Sequence, residues 1–195
     1  FFTLLGQSEA LYGALEALMA SDEWNDLEPA KKRLVEKERL SMKLSGISLK
    51  GEAKERFNQI QKELAELATG FSNAVLDSRK AYELILTDAA DVDGFTETLR
   101  QMTAASAKAN GHEDATPEAG PWRITLDFPV AGPFMMHCKK RELRETVYRA
   151  MISVASTGEH DNQPRIDKIL KLRREKAKLL GYQSHAEISL ATKMA

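Results

Sequence analysis

Between Lys54 and Asp88, apolar residues fall at Phe57, Ile60, Leu64, Leu67, Phe71, Val75, Tyr82 and Ile85. The first six are separated by steps of three or four residues, which puts their side chains on one face of an α-helix. No proline interrupts the run, and Gly70 costs only about 1 kcal/mol relative to alanine. The spacing predicts a helix over about 52–87. Some thirty residues at about 1.5 Å each make a rod of roughly 45 Å, whose apolar stripe needs another helix to cover it.

Upstream, Ala10, Leu11, Ala14, Leu15 and Leu18 predict a helix over 8–20, with Ser8 as its N-cap. A second helix starts near Leu27, with Pro29 in its first turn, where a missing N–H costs little. It carries Leu34, Leu40, Leu44 and Ile47, and Ser45-Gly46 marks its end. Gly51 separates it from the rod, so the two should pack antiparallel, stripe against stripe.

Downstream, Asp91-Val92-Asp93-Gly94 reads as a turn and Phe95 to Lys108 as a shorter helix. A loop then runs from Asn110 through Pro117, Gly120 and Pro121. The alternation Trp122-Arg123-Ile124-Thr125-Leu126-Asp127-Phe128 predicts a strand ended by Pro129, and Gly132-Pro133 turns the chain into Phe134-Met135-Met136-His137-Cys138. The two runs are expected to pair as a short β-hairpin. Glu142 to Ser156 predicts a helix with Leu143, Val147, Ala150, Met151 and Val154 on one side. Asn162 and Pro164 open another, whose buried face is Ile166, Ile169, Leu170, Leu172, Ala177 and Leu180, with Gly181 at its C-terminal end. Ser184 restarts a helix. The fold class is all-α with one short β-hairpin. The domain reading is 1–112, a helical hairpin region, and 113–195, a strand pair followed by helices and cut short at its end.

Composition narrows the functional classes. The 195 residues are 43% hydrophobic and 29% charged, with 28 basic against 29 acidic residues. That balance carries no nucleic-acid footprint, and Lys31-Lys32-Arg33 reads as a solvated helical face. No apolar run reaches the ~18 residues of a membrane span. One cysteine, Cys138, precludes an internal disulfide framework and is compatible with a reducing compartment. Phe1-Phe2-Thr3-Leu4-Leu5 lacks the basic flank of a signal peptide, and the final helical residues have no terminator. Both ends are expected to be cut from something longer.

The residues form no catalytic constellation. His112-Glu113 invites comparison with a zinc-protease helix, but Thr116 stands where the second histidine belongs, and Gly111 and Pro117 make the site a loop. His137 and Cys138 are adjacent, and on a strand they would point to opposite faces, which argues against a shared metal or a nucleophile pair. A buried thiol beside a surface histidine is the expectation there. His160-Asp161 reads as loop polarity and capping, and His185 and Glu187 face different directions on a helix. No glycine pattern matches a phosphate loop. Glu63, Glu66 and Asp77 sit among lysines and arginines, where surface pairing explains them.

Four blocks carry a specific likeness. Phe57-Asn58-x-Ile60-x-x-Glu63-Leu64-x-x-Leu67-x-x-x-Phe71-Ser72-x-x-Val75-Leu76-Asp77 resembles the long helix of the thimet oligopeptidase/oligopeptidase A family, the M3 zinc peptidases. Gly120-Pro121-Trp122-x-Ile124-Thr125-Leu126-Asp127-x-Pro129 resembles its short strand segment. Leu143-Arg144-Glu145-x-Val147-Tyr148-Arg149-Ala150 follows in the family's order, as does Leu170-x-Leu172-Arg173-x-Glu175-Lys176-Ala177-x-Leu179-Leu180-Gly181-Tyr182 with Ala186-Glu187-x-Ser189-Leu190-Ala191-x-Lys193-Met194-Ala195. The likeness covers nearly the whole chain and is nearest to the plant and bacterial oligopeptidase A branch. Asn73-Ala74 and His185 depart from it, the latter where many relatives carry an aromatic.

The resemblance implies a helical fold whose two halves flank a deep channel for short unstructured peptides, with this chain in the N-terminal half. It also implies a zinc site, His-Glu-x-x-His plus a later glutamate, that has no counterpart here. The expectation is therefore a chain with no catalytic or metal residue of its own and no cofactor, zinc belonging only to a full-length member. Its role would be accessory, binding short peptides or a partner chain or self-associating. Tyr82, Phe128, Phe134, Met135 and Tyr148 are the candidate surface. The alternative is a fragment of an active zinc oligopeptidase that degrades short peptides such as cleaved targeting peptides. The compartment would be intracellular, either cytoplasm or the stroma or matrix of an organelle.

Overall fold

The structure is a computed structural model that describes residues 5–193. Its elements are α1 (Glu9–Ala20), α2 (Glu23–Asp26), α3 (Pro29–Leu44), α4 (Gly51–Lys80), β1 (Leu84–Leu86), α5 (Glu97–Ala109), β2 (Trp122–Ile124), α6 (Phe128–His137), α7 (Arg141–Ile152), α8 (Gln163–Leu179) and α9 (His185–Leu190). Short 3-10 turns at Ala89–Val92 and Gly158–His160 complete it. The described residues are all-α apart from one two-stranded antiparallel sheet. It divides into two compact units, one of residues up to Ala68 with those from Ile166 onward, the other Thr69–Arg165.

In the first unit, Ser8 caps α1 as expected, its Oγ accepting from the Leu11 N–H at 3.3 Å. The antiparallel neighbour of α3 is α1, tied by an Arg39–Glu16 ion pair. Covering of α3 by the rod is confined to its end. Met42 and Ile47 are buried there, while Leu34 is 69% exposed. Gly46, at φ +84°, makes the turn between them, and a Cβ on it would stand 2.8 Å from the Phe57 ring. Phe57 and Ile60 of α4 are fully buried. Polar contacts bind the start of α4 to α8. Arg56 Nε and NH2 donate to the Glu175 carboxylate at 2.6 and 2.8 Å, Lys168 pairs with Glu63 at 3.0 Å, and Lys176 Nζ donates to Gln61 at 2.8 Å. Of the face expected on α8, Leu172 and Ala177 are buried but Leu170 is 57% exposed. Gly181 terminates α8 with φ +80°, and the Tyr182 N–H returns to the Ala177 carbonyl. Ser184 caps α9, and Glu187 reaches back to the Gln183 N–H at 2.9 Å.

In the second unit the long helix stops at Lys80, earlier than its apolar spacing predicts. Tyr82 and Ile85 continue that spacing outside the helix, because Leu84–Leu86 is a strand paired with Trp122–Ile124 (Leu84 opposite Ile124, Leu86 opposite Trp122). The expected β-hairpin is thereby corrected. β2 is real but short, its partner lies upstream, and Phe134–Cys138 belongs to α6 and its C-cap rather than to a strand. The prolines that suggest strand breaks are tolerated in α6. Pro129 lies in its first turn, where an N–H would find no helical partner, and Pro133 forgoes a single bond to Pro129. The Asp127 carbonyl accepts from Val130 and Ala131 to start the turn.

Around this sheet lies one core: Trp122, Ile124, Leu99, Val92, Phe134 and Val147 are all but fully buried. Phe95 meets Phe134 edge-on, with ring centroids 5.6 Å apart. The Trp122 indole N–H donates to the Pro117 carbonyl at 3.2 Å. Asn162, expected as a cap, is buried; its amide donates to the Phe71 carbonyl at 3.1 Å while its oxygen accepts from Arg165.

Candidate functional site

α6 and α7 are joined by the short link Cys138–Lys140 and pack against each other. Cys138 turns its thiol inward, near the Asp91 and Lys140 carbonyls, and burial pushes its pKa up, so it stays a protonated thiol. His137 ends α6 and is exposed. The pair thus divides as expected, though at a helix end rather than along a strand. Arg144 NH1 donates to the Cys138 and Lys139 carbonyls at 2.6 and 2.9 Å, closing the C-terminal turn of α6.

On the open side of these helices is a depression of about 410 Å³, lined by Met135, Arg141, Arg144, Glu145, Tyr148 and Arg149. Positions 141, 144/145 and 148/149 repeat at helical spacing, which is why one face of α7 presents them together. Arg149 donates through Nε and NH2 to one oxygen of Glu145, at 2.9 and 2.7 Å. Three guanidinium groups face one carboxylate, so the lining carries net positive charge.

The structure distributes the five predicted surface residues unevenly. Met135 and Tyr148 share this depression, with Tyr148 52% exposed. Phe128, at the start of α6, is 85% exposed. Phe134 is entirely buried and is a core residue. Tyr82 packs against the same core, its hydroxyl buried without a hydrogen-bond partner among the described residues, and burial raises its pKa. Sequence reasoning does not single out the three arginines; the signal that marks them is an excess of cations on one helical face, starting at the first residue of a helix.

The histidines do not converge. His112 lies in a loop beside Glu113 and Asp114, His160 is 3.5 Å from the Glu159 carboxylate, and His185 heads α9. His185 Nδ1 is buried without a partner among the described residues, and burial, reinforced by Arg173, Lys176 and Lys193, holds its pKa below the usual histidine value. Among the described residues, no three of His, Cys, Asp and Glu stand close enough to hold a metal ion. A hydrolytic zinc needs about three protein ligands, and the residues present do not fit one.

Residues 134–195 match the family model for peptidase family M3, and residues 1–54 match the N-terminal domain of neurolysin and thimet oligopeptidase. The chain belongs to peptidase family M3. It is 49% identical over 191 residues to the probable cytosolic oligopeptidase A of Arabidopsis thaliana, covering 98% of this chain and 27% of the relative. The organellar (chloroplastic/mitochondrial) oligopeptidase A of the same plant is also 49% identical over 191 residues, with 98% and 24% coverage. Oligopeptidase A of Haemophilus influenzae is 38% identical over 200 residues, covering all of this chain and 28% of its own length. This M3 chain spans about a quarter of the length of the curated relatives it matches. The likeness read from its four sequence blocks holds.

Proposed function

We propose that this chain is a non-catalytic, peptide- or partner-binding portion of an M3 oligopeptidase. The observation that carries the reading is the pair of family matches, an N-terminal domain over 1–54 and M3 sequence over 134–195, in 195 residues that contain no His-Glu-x-x-His. M3 enzymes are zinc peptidases, so hydrolysis needs ligands that this chain does not supply. Its contribution is surface: the α6–α7 depression offers Met135 and Tyr148 beside the arginines, and Phe128 is exposed at the start of α6. Incubating the purified chain with short peptides and added zinc tests the first half of the reading; no turnover is expected. Turnover that copurifies with the chain and disappears with chelator overturns it. A dilution series with and without peptide tests the second half. A monomer indifferent to peptides and to other M3 segments overturns that.

The names of the relatives favour a second reading, in which this sequence is part of an active oligopeptidase; the family resemblance implies that such an enzyme uses zinc and cuts short peptides such as cleaved targeting peptides. The compartment is then the cytosol or a chloroplast or mitochondrion. Among the described residues no helix is long and apolar enough to cross a membrane. Intact mass and zinc content of the endogenous protein separate the readings. The second requires about four times the 21.8 kDa of this chain, since the alignments span 24 to 28% of the relatives, and about one zinc.

A further inference from the structure

From the α6–α7 depression we infer a carboxylate-binding subsite, in which Arg141 and Arg149 take a carboxylate of a short peptide while Met135 and Tyr148 flank the adjoining residue. This rests on the peptide-binding reading above and specifies its chemistry. Four observations converge. The lining holds three arginines and one glutamate around about 410 Å³. The Arg141 guanidinium makes no hydrogen bond or ion pair among the described residues, so its five N–H donors are open to a ligand. Arg149 spends two donors on a single oxygen of Glu145 and keeps the others.

The fourth observation is where the charge sits. Arg141 is the first residue of α7, its N-cap is Lys140, no side chain among the described residues caps the helix, and Glu142 is the acid of its first turn. Cations there oppose the helix dipole, and like charges three or four residues apart repel. Lys140 is answered by Asp91, while the lining of the depression sets one acid, Glu145, against three arginines. Local rules of this kind are broken where something else supplies the compensation. A planar carboxylate matches the guanidinium fork in geometry and charge. A half-exposed tyrosine ring and a methionine add an apolar wall, which inorganic anions would not use.

The test titrates the full 195-residue chain with three acetylated pentapeptides of the same apolar sequence. One has a free C-terminal carboxylate, one a C-terminal amide, and one an amide with a single internal glutamate. Binding is read by calorimetry and by amide shifts in α7. The expected result is saturable binding of one or both carboxylate peptides, with the amide at least about tenfold weaker, as loss of a charge-assisted hydrogen bond predicts. Whichever carboxylate peptide binds identifies a terminal or a side-chain group as the source. Arg141→Gln and Arg149→Gln should each weaken that binding, and Arg141→Lys should restore only part of it. Both positions are at the surface, and circular dichroism checks the fold of each variant. Equal binding of acid and amide overturns the carboxylate assignment while leaving the peptide-binding reading intact. Carboxylate-dependent binding untouched by either glutamine variant overturns the location. Failure of all three peptides to bind overturns both the subsite and the peptide-binding reading.

Discussion

Replacing Gly46 with alanine isolates how the turn between α3 and α4 is locked. At φ +84° an L-residue is strained, by about 1–2 kcal/mol. The new methyl would also lie 2.8 Å from two carbons of the Phe57 ring, and that ring is fully buried and cannot swing into solvent. Shifting a packed aromatic costs about 1–3 kcal/mol more. The total is about 2–5 kcal/mol, or a fall in Tm of roughly 4–20 °C for a chain of this size. Gly51→Ala is the internal control. Its φ is +54° and nothing lies within 4 Å of the point where a Cβ would stand, so only the backbone part applies. Thermal and urea unfolding followed by circular dichroism should rank wild type above Gly51→Ala and Gly51→Ala above Gly46→Ala. In a Phe57→Leu background the cost of Gly46→Ala should shrink toward that of the control. If the two glycine variants agree within about 0.5 kcal/mol, or the background makes no difference, the reasoning about ring contact is refuted.

Further outcomes follow from single sites. Phe134→Ala should cost about 3–5 kcal/mol in urea unfolding, because a fully buried ring facing Phe95 leaves a cavity in the core. His185 has its folded pKa depressed, so the unfolded chain takes up its proton first, and its contribution is present above the ordinary histidine pKa and lost as pH falls below it. His185→Phe should therefore flatten stability between about pH 7 and 5, read from urea midpoints across that range. Glu63 and Glu175 are held below the usual carboxylate range by Lys168 and Arg56 respectively, so their stabilisation persists above the unfolded pKa and fades as pH drops through the folded one. Glu175→Gln should reduce the acid sensitivity of unfolding below about pH 4.5. Cys138 should react with a thiol reagent only as fast as the second unit opens, and Phe134→Ala should accelerate that reaction.

Much of the fold is legible where pattern and partner are close in sequence. Ser8, Gly181 and Ser184 act at helix ends as their local chemistry dictates. The rod is visible as a stripe, yet its end is not. Tyr82 and Ile85 keep helical spacing, and only the pairing of Leu84 with Ile124, forty residues on, makes that stretch a strand. Local periodicity cannot register a partner so distant. α6 escapes a sequence reading because two prolines in ten residues suggest broken strands, whereas Pro129 stands in the first turn of a helix and Pro133, inside it, removes one backbone bond. Leu34 and Leu170 occupy apolar positions that the structure leaves exposed, since amphipathic spacing says which face is apolar and not whether anything covers it. The same limit hides the candidate site. Tyr148 and Met135 stand out for being apolar, whereas the arginines beside them look like ordinary solvated charge until the helix face is assembled.

The first unit is discontinuous, and this matters at synthesis. Arg56 and its partner Glu175 are 119 residues apart. A ribosome adding about 5–20 residues per second needs roughly 6–24 s to span that gap. Throughout that interval Phe57 and Ile60 have emerged without the α8 residues that cover their helix, while 69–165 can complete its own core. The nascent chain therefore carries an unsatisfied apolar stripe for seconds, long enough for a chaperone to find it.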